Sequence, residues 1–372
     1  MIKKIANVFT FFFMFTLLFC GLSWGMNQIH IVNLPCTLSW NTIEFRYIEI
    51  YGGIQKLLGK REIENFTICK TNTGRLVSPR EQLTDDTISE SIEQIMPIIR
   101  HLEDNDIPYV YVRNALPISS ETELPIGIVD YSGDNFDRLG EMLAQRDVKT
   151  IDINSSLRQM MQGEELFYKT DHHWNGDASF NAFIIISDYL SSNDMAQVSS
   201  KILSRENYER IVIANSFLGS YGIKVGRLYT GKDDYVYYVP KYYQEVEFIA
   251  HKEDGNLMVK QKGEWFESYL NQEILADDNY NNKYDVFLYG NGGINVLRNY
   301  SCSNSKKLLL ISHSYGRPIA PYLSLIFSEV RQIDPQPGRF HDNFIEYIDD
   351  YKPDCVIILV ESDGEIIGDY KH

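Results

Sequence analysis

Helices and strands alternate along this chain, and the alternation limits its fold more than any other feature. It is clearest near the C-terminus. Lys307-Leu308-Leu309-Leu310-Ile311 reads as a buried strand, and a turn from Ser312 to Arg317 leads into a helix through Phe327. Val330 to Ile333 is the next strand, Phe344, Ile345 and Ile348 mark a helix, and Val356 to Val360 is the last strand. The first half obeys the same rule. Ile92, Ile95, Met96, Ile99 and Leu102 have helical spacing over residues 89–104, with Pro97 expected to kink or shorten the helix. Strands at Tyr109 to Val112 and Thr150 to Ile153 flank a helix marked by Phe136, Leu139, Met142 and Leu143, and another helix is expected at about 177–191. The pattern predicts an α/β fold: an open, mostly parallel sheet with helices on both faces.

Other segments differ. Residues 227–285 are rich in Tyr, Lys, Asp and Glu with short β-like runs such as Tyr235 to Val239, and read as an inserted, solvent-facing β-rich segment within an α/β domain spanning 89–372. Residues 27–88 have weak periodicity, a Gly52-Gly53 break, and read as an N-terminal segment packed on the core. Residues 1–26 read as a signal peptide or membrane anchor. Lys3 and Lys4 precede a charge-free apolar stretch from Ile5 to Trp24, long enough to span a bilayer and oriented N-in. The chain beyond this stretch is expected outside the cytoplasm, where Cys36, Cys69, Cys302 and Cys355 could pair or stay as thiols. The net charge of −16, with no dense basic cluster, argues against a nucleic-acid partner.

Two places carry candidate chemistry. Thr170-Asp171-His172-His173-Trp174-Asn175 ends where a helix begins. An aspartate two residues before a histidine can accept from one imidazole nitrogen and fix the tautomer. Ser314 lies in Ile311-Ser312-His313-Ser314-Tyr315-Gly316, at the carboxyl end of a buried strand, where open α/β sheets place their sites. Its backbone N–H at a helix start can face a developing oxyanion. Gly290 and Asn291, in Phe287 to Gly293, could add a second donor or form an ordinary turn. Asp171, His172 and His173 could instead bind zinc or manganese.

At these residues the sequence resembles the DHHW family of exported bacterial proteins and the wider group containing the SGNH-hydrolase-like alginate O-acetyltransferases. The resemblance rests on Thr170 to Trp174, Phe287 to Gly293, Ser314-Tyr315 to Leu323, and Phe217 to Tyr221. It implies an SGNH-hydrolase-like, flavodoxin-like sheet and a triad of Asp171, His173 and Ser314. Asn291, Gly290, Tyr315, His172 and Trp174 would line the oxyanion and substrate site. His313 stands where many family members carry aspartate. The activity implied is O-acyl transfer, chiefly of acetyl, or ester hydrolysis on a cell-surface glycan. Away from cytoplasmic acetyl-CoA, transfer would need a membrane-bound O-acyltransferase partner to deliver the acetyl group. Such a triad needs neither metal nor cofactor. The rivals are a metal-dependent phosphoesterase built on the Asp-His-His cluster and a non-catalytic glycan-binding protein.

Overall fold

The structure, a computed structural model, describes residues 43–360 apart from 65, 66, 121, 253, 278–281, 291, 337, 338 and 341. The apolar stretch Ile5 to Trp24, Cys36 and Asn291 lie outside the described residues. Among the described residues no helix is long and apolar enough to cross a membrane.

The chain opens with helix α1 (Ile43–Leu57) and a small antiparallel sheet of β1 (Glu62–Ile63), β2 (Ile68–Lys70) and β3 (Leu76–Val77). Then come α2 (Asp85–Asp104), β4 (Tyr109–Arg113), α3 (Ser132–Ala144), β5 (Thr150–Asp152), α4 (Ile153–Met160) and α5 (Gly176–Ser192). The middle holds β6 (Tyr208–Phe217), α6 (Ser220–Val225), β7 (Asp233–Pro240), β8 (Glu245–His251) and β9 (Leu257–Glu264). The end holds β10 (Ile294–Asn299), β11 (Lys307–Ser312), β12 (Glu329–Ile333), α7 (Phe344–Tyr351) and β13 (Cys355–Leu359).

Eight strands form one sheet in the order β5-β4-β13-β11-β12-β10-β8-β9. The five from β5 to β12 are parallel, and β10, β8 and β9 add on antiparallel. β13 and the middle of β11, the central strands, are continuous apolar runs because both faces are covered. Val110, Val112, Leu308, Leu310, Ile357 and Leu359 pack with Phe180, Phe183 and Tyr322 on one face. Tyr109, Tyr111, Leu309, Ile311, Val356 and Ile358 pack on the other with Ile92, Ile99, Leu139, Phe344 and Ile348. The predicted α/β architecture, a mostly parallel sheet with helices on both faces, is therefore the observed one.

Three local expectations change. Pro97 does not shorten α2, which runs unbroken from a Thr84 N-cap. A proline inside a helix costs about 3 kcal/mol. Burying Ile88, Ile92, Ile95, Ile98, Ile99 and Leu102 on one face, at about 1.5–3 kcal/mol per side chain, outweighs it. Gly52-Gly53 does not break the N-terminal segment either, because α1 passes straight through them. A Cβ on Gly52 would lie 1.9 Å from the Val225 carbonyl oxygen, so the glycine permits close helix contact. Finally, residues 227–285 are β-rich but face solvent only in part: β9 is mostly exposed, whereas β7 is mostly buried. β7 pairs with β6, which precedes the segment, and β8 and β9 extend the main sheet. Tyr235, Tyr238, Phe248 and Ala250 are core residues, so these tyrosines fill the interior and do not present faces to solvent.

Candidate active site

The parallel strands define where a site can form. From β11 the chain moves to β12 on one side and later to β13 on the other, so the strand order reverses at β11. A crevice opens at the carboxyl end of such a strand. Ser314 sits there, first in a single 3-10 turn from Ser314 to Gly316 just after β11. Gly316 keeps the turn tight, since a Cβ there would meet the Ser312 hydroxyl at 2.0 Å.

The opposing wall is the loop entering α5. Asn175 caps that helix by accepting from the Ala178 N–H, and Phe167 bridges Trp174, so the loop is pinned at both ends. Between them, the Asp233 carboxylate accepts from the backbone N–H groups of Lys169 and Thr170, both at 2.9 Å, and from the Thr170 hydroxyl at 2.6 Å. The Thr170 hydroxyl oxygen in turn accepts from the Gly219 N–H. This network sets Asp171 against the start of α6, where the Ser220 N–H donates to Asp171 Oδ2 at 2.5 Å.

The two walls meet through one imidazole. His173 Nδ1 lies 2.5 Å from Asp171 Oδ1, and His173 Nε2 lies 2.6 Å from Ser314 Oγ. Burial pushes the Asp171 carboxyl up, but the neighbouring His172 and His173 rings and the bonds from His173 and the Ser220 amide hold it far below the usual carboxylate range. An ionised Asp171 only accepts, so Nδ1 carries the imidazole proton and Nε2 accepts from the Ser314 hydroxyl. Burial also pushes His173 below the ordinary imidazole range; His172 adds to this, and Asp171 opposes it without winning. The imidazole is therefore neutral near pH 7, the state a base needs.

The other expected residues gather around this core. The His172 ring keeps Nδ1 3.5 Å from Asp171 Oδ1 and 2.9 Å from the Ser220 hydroxyl, and stays partly exposed, as does Ser314. Tyr315 is buried and donates its hydroxyl to the His172 carbonyl at 2.6 Å. Trp174 is fully buried, edge-on to Tyr315. Gly290 has φ +91° and packs on Asp285. His313 points into the protein, where its charge would act on the buried Asp334.

Sequence reasoning missed four residues. Ser220 and Asp233 fasten the loop. Tyr284 stacks on the His173 ring at a centroid distance of 3.7 Å. Arg317, 5 % exposed, pairs with Asp285 at 2.6 Å and lies over the Tyr284 ring at 5.3 Å. The segment Phe217 to Tyr221, noted only as part of a resemblance, was the one sequence signal pointing toward Ser220.

Asp171, His172 and His173 offer metal-ligand atoms within 4.8 Å of one another. These atoms are already committed: both Asp171 oxygens accept bonds, and both His173 nitrogens are used. A metal would have to break the Asp171–His173–Ser314 chain, so the donor set fits a triad better than an ion.

Comparison with known proteins agrees on the fold. A family model described as the SGNH hydrolase-like domain of acetyltransferase AlgX matches residues 80–204, the part carrying Asp171 and His173. PatB1 of Bacillus cereus, solved with a sulfonyl adduct, superposes with a TM-score of 0.66 at 21% identity, covering 82% of this chain and 98% of that one. A DHHW family protein from Eubacterium siraeum gives 0.56 at 16% identity, with 79% and 90% covered. The O-acetyltransferase domain of Pseudomonas putida AlgJ gives 0.50 at 9% identity, with 80% and 91% covered. No curated protein matches the sequence.

Proposed function

We propose that this protein is an extracytoplasmic O-acyltransferase or esterase, handling chiefly acetyl groups on the hydroxyls of a cell-surface glycan. The observation that carries this reading is the continuous hydrogen-bond chain from Asp171 through His173 to Ser314. Its support is chemical. A serine hydroxyl becomes a nucleophile when a positioned base takes its proton. Ser314 Oγ attacks the ester carbonyl as its proton moves to His173 Nε2. Asp171 stabilises the imidazolium that forms. The tetrahedral intermediate collapses to an acyl-Ser314, and His173 returns the proton to the departing alcohol. A second alcohol, or water, then attacks the acyl-serine with His173 again as base.

The oxyanion would face the Ser314 N–H, which opens its helical turn, and Asn291, outside the described residues, is the expected second donor. Tyr315 packs against the His173 ring and Trp174 against Tyr315, and both keep the expected place beside the substrate site. His172, partly exposed and held by Ser220, is the member of that group placed to meet substrate. The likeness to PatB1 and to the AlgJ O-acetyltransferase domain supports the same reaction class. A membrane-bound O-acyltransferase delivering acetyl groups completes the transfer reading.

The test is turnover of a small chromogenic acetyl ester by four folded variants. Ser314→Ala and His173→Ala should each lose at least about a thousandfold in kcat, and the double variant little more, because triad members act as a unit. His172→Ala and His313→Ala should keep a substantial part. A dead His172 or His313 variant beside an active His173→Ala would overturn the assignment, and an active Ser314→Ala would end the nucleophilic mechanism.

A further inference from the structure

We propose that the outer face of α1 lies on the surface of an anionic lipid bilayer. Five of the thirteen large apolar side chains exposed among the described residues fall in or just after this helix: Ile43, Tyr47, Ile50, Leu57 and Leu58. A sixth, Leu228, stands directly against α1, since a Cβ on Gly53 would touch its side chain at 3.4 Å. Positions 43, 47, 50 and 57 recur at helical spacing, so they form one stripe along the helix. The opposite face, with Phe45, Ile48 and Gly52, is buried against α6 and residues 227–230. An unpartnered apolar stripe of this length on a soluble surface marks an interaction site.

Two observations select a bilayer as the occupant. The first is charge. The chain carries −16 overall, yet the exposed charged residues of the helix and the turn after it are Arg46, Lys56 and Lys60 against Glu44 alone. The one other acid of the helix, Glu49, is buried and paired with Arg227. An apolar face with a cationic rim is the composition of an interfacial helix, and each cation near an anionic leaflet adds attraction. The second is tethering. Ile43 lies beyond the apolar stretch ending at Trp24 by eighteen intervening residues, a reach of at most about 60 Å. If that stretch is an anchor, as its length and flanking lysines suggest, α1 never leaves the neighbourhood of the membrane. A second copy of the chain could also seat on such a stripe, but it would bring the same cations against each other.

The placement has a consequence for the site. α6 starts at Asp171, through the Ser220 N–H, and ends against Gly52. Its six residues span about 9 Å. A membrane-seated α1 therefore holds the proposed triad close to the lipid surface, where a membrane-embedded donor could reach it.

The test uses the full chain in vesicles, with a bimane fluorophore on Ile50→Cys and brominated lipids as quenchers. Val212→Cys, exposed on β6, is the control, and signal from native cysteines is subtracted using the unsubstituted chain. We expect at least twofold stronger quenching at position 50 than at 212 in phosphatidylglycerol-containing vesicles, weakening in pure phosphatidylcholine. Equal quenching at the two positions overturns the proposal, as does disulfide cross-linking between Ile50→Cys chains in its place. A chain that fails to float with vesicles overturns both this proposal and the anchor on which it rests. Ester hydrolysis is unaffected by any of these outcomes, so the triad stands or falls separately.

Discussion

His173 holds together two loops that the sequence separates by 141 residues. Its role was legible because the spacing to Asp171 places both side chains on one side of an extended loop, and because family resemblance chose it over His172. Its setting was not legible. Tyr284, Arg317, Ser220 and Asp233 reach the imidazole or its loop only through tertiary contacts, and nothing local in their sequence marks them. The setting has a measurable effect on titration. Burial favours the neutral imidazole, and a neutral imidazole is the form the proposed base needs. Activity should therefore persist as pH falls through 6.5, the ordinary value. The acid limb of kcat/KM for ester hydrolysis should have its midpoint below 6.5. A midpoint above 7 would mean that Asp171 dominates and the burial argument is wrong.

At the scale of elements, the sequence announced strands and helices well where both faces are buried, as in β11 and β13. It failed where close backbone contact decides. Gly52-Gly53 looked like a break but allows α1 to touch the Val225 carbonyl, and β8 looked like part of an insertion but completes the sheet. Gly219 shows the same logic at the site, since a Cβ there would fall 2.2 Å from the Asp171 Cβ. Gly219→Ala should push Asp171 off His173 and reduce ester turnover at least about tenfold. Gly52→Ala should act on the fold and cost about 1–3 kcal/mol by overpacking, read as a lower Tm. Gly53→Ala, which meets only the Leu228 side chain, should leave both properties nearly unchanged. Full activity in Gly219→Ala would show that the α6 start does not position Asp171.

At the scale of the whole molecule, the sheet is closed by its last strand. β13 lies between β11 and β4, so within the sheet the β4–β5 pair is joined to the strand before Ser314 through residues 355–359. The alternation of helices and strands indicated a parallel sheet, but the pairing of distant strands is set by packing across the whole chain and leaves no local signature. The two halves of the chain bring Asp171, His173 and Ser314 into one hydrogen-bond chain, the proposed triad, whose Asp171 oxygens and His173 nitrogens are all used internally. Ester hydrolysis should therefore survive prolonged treatment with a chelator, and activity lost with a stoichiometric metal would favour the phosphoesterase reading. The central claim, that Ser314 is a nucleophile activated by His173, is tested most directly by covalent labelling. The intact protein is treated with a fluorophosphonate and the modified residue located by peptide mass spectrometry. A single adduct on Ser314, formed much more slowly in His173→Ala, is the predicted result. No adduct, or one on another residue at an undiminished rate in Ser314→Ala, would contradict it.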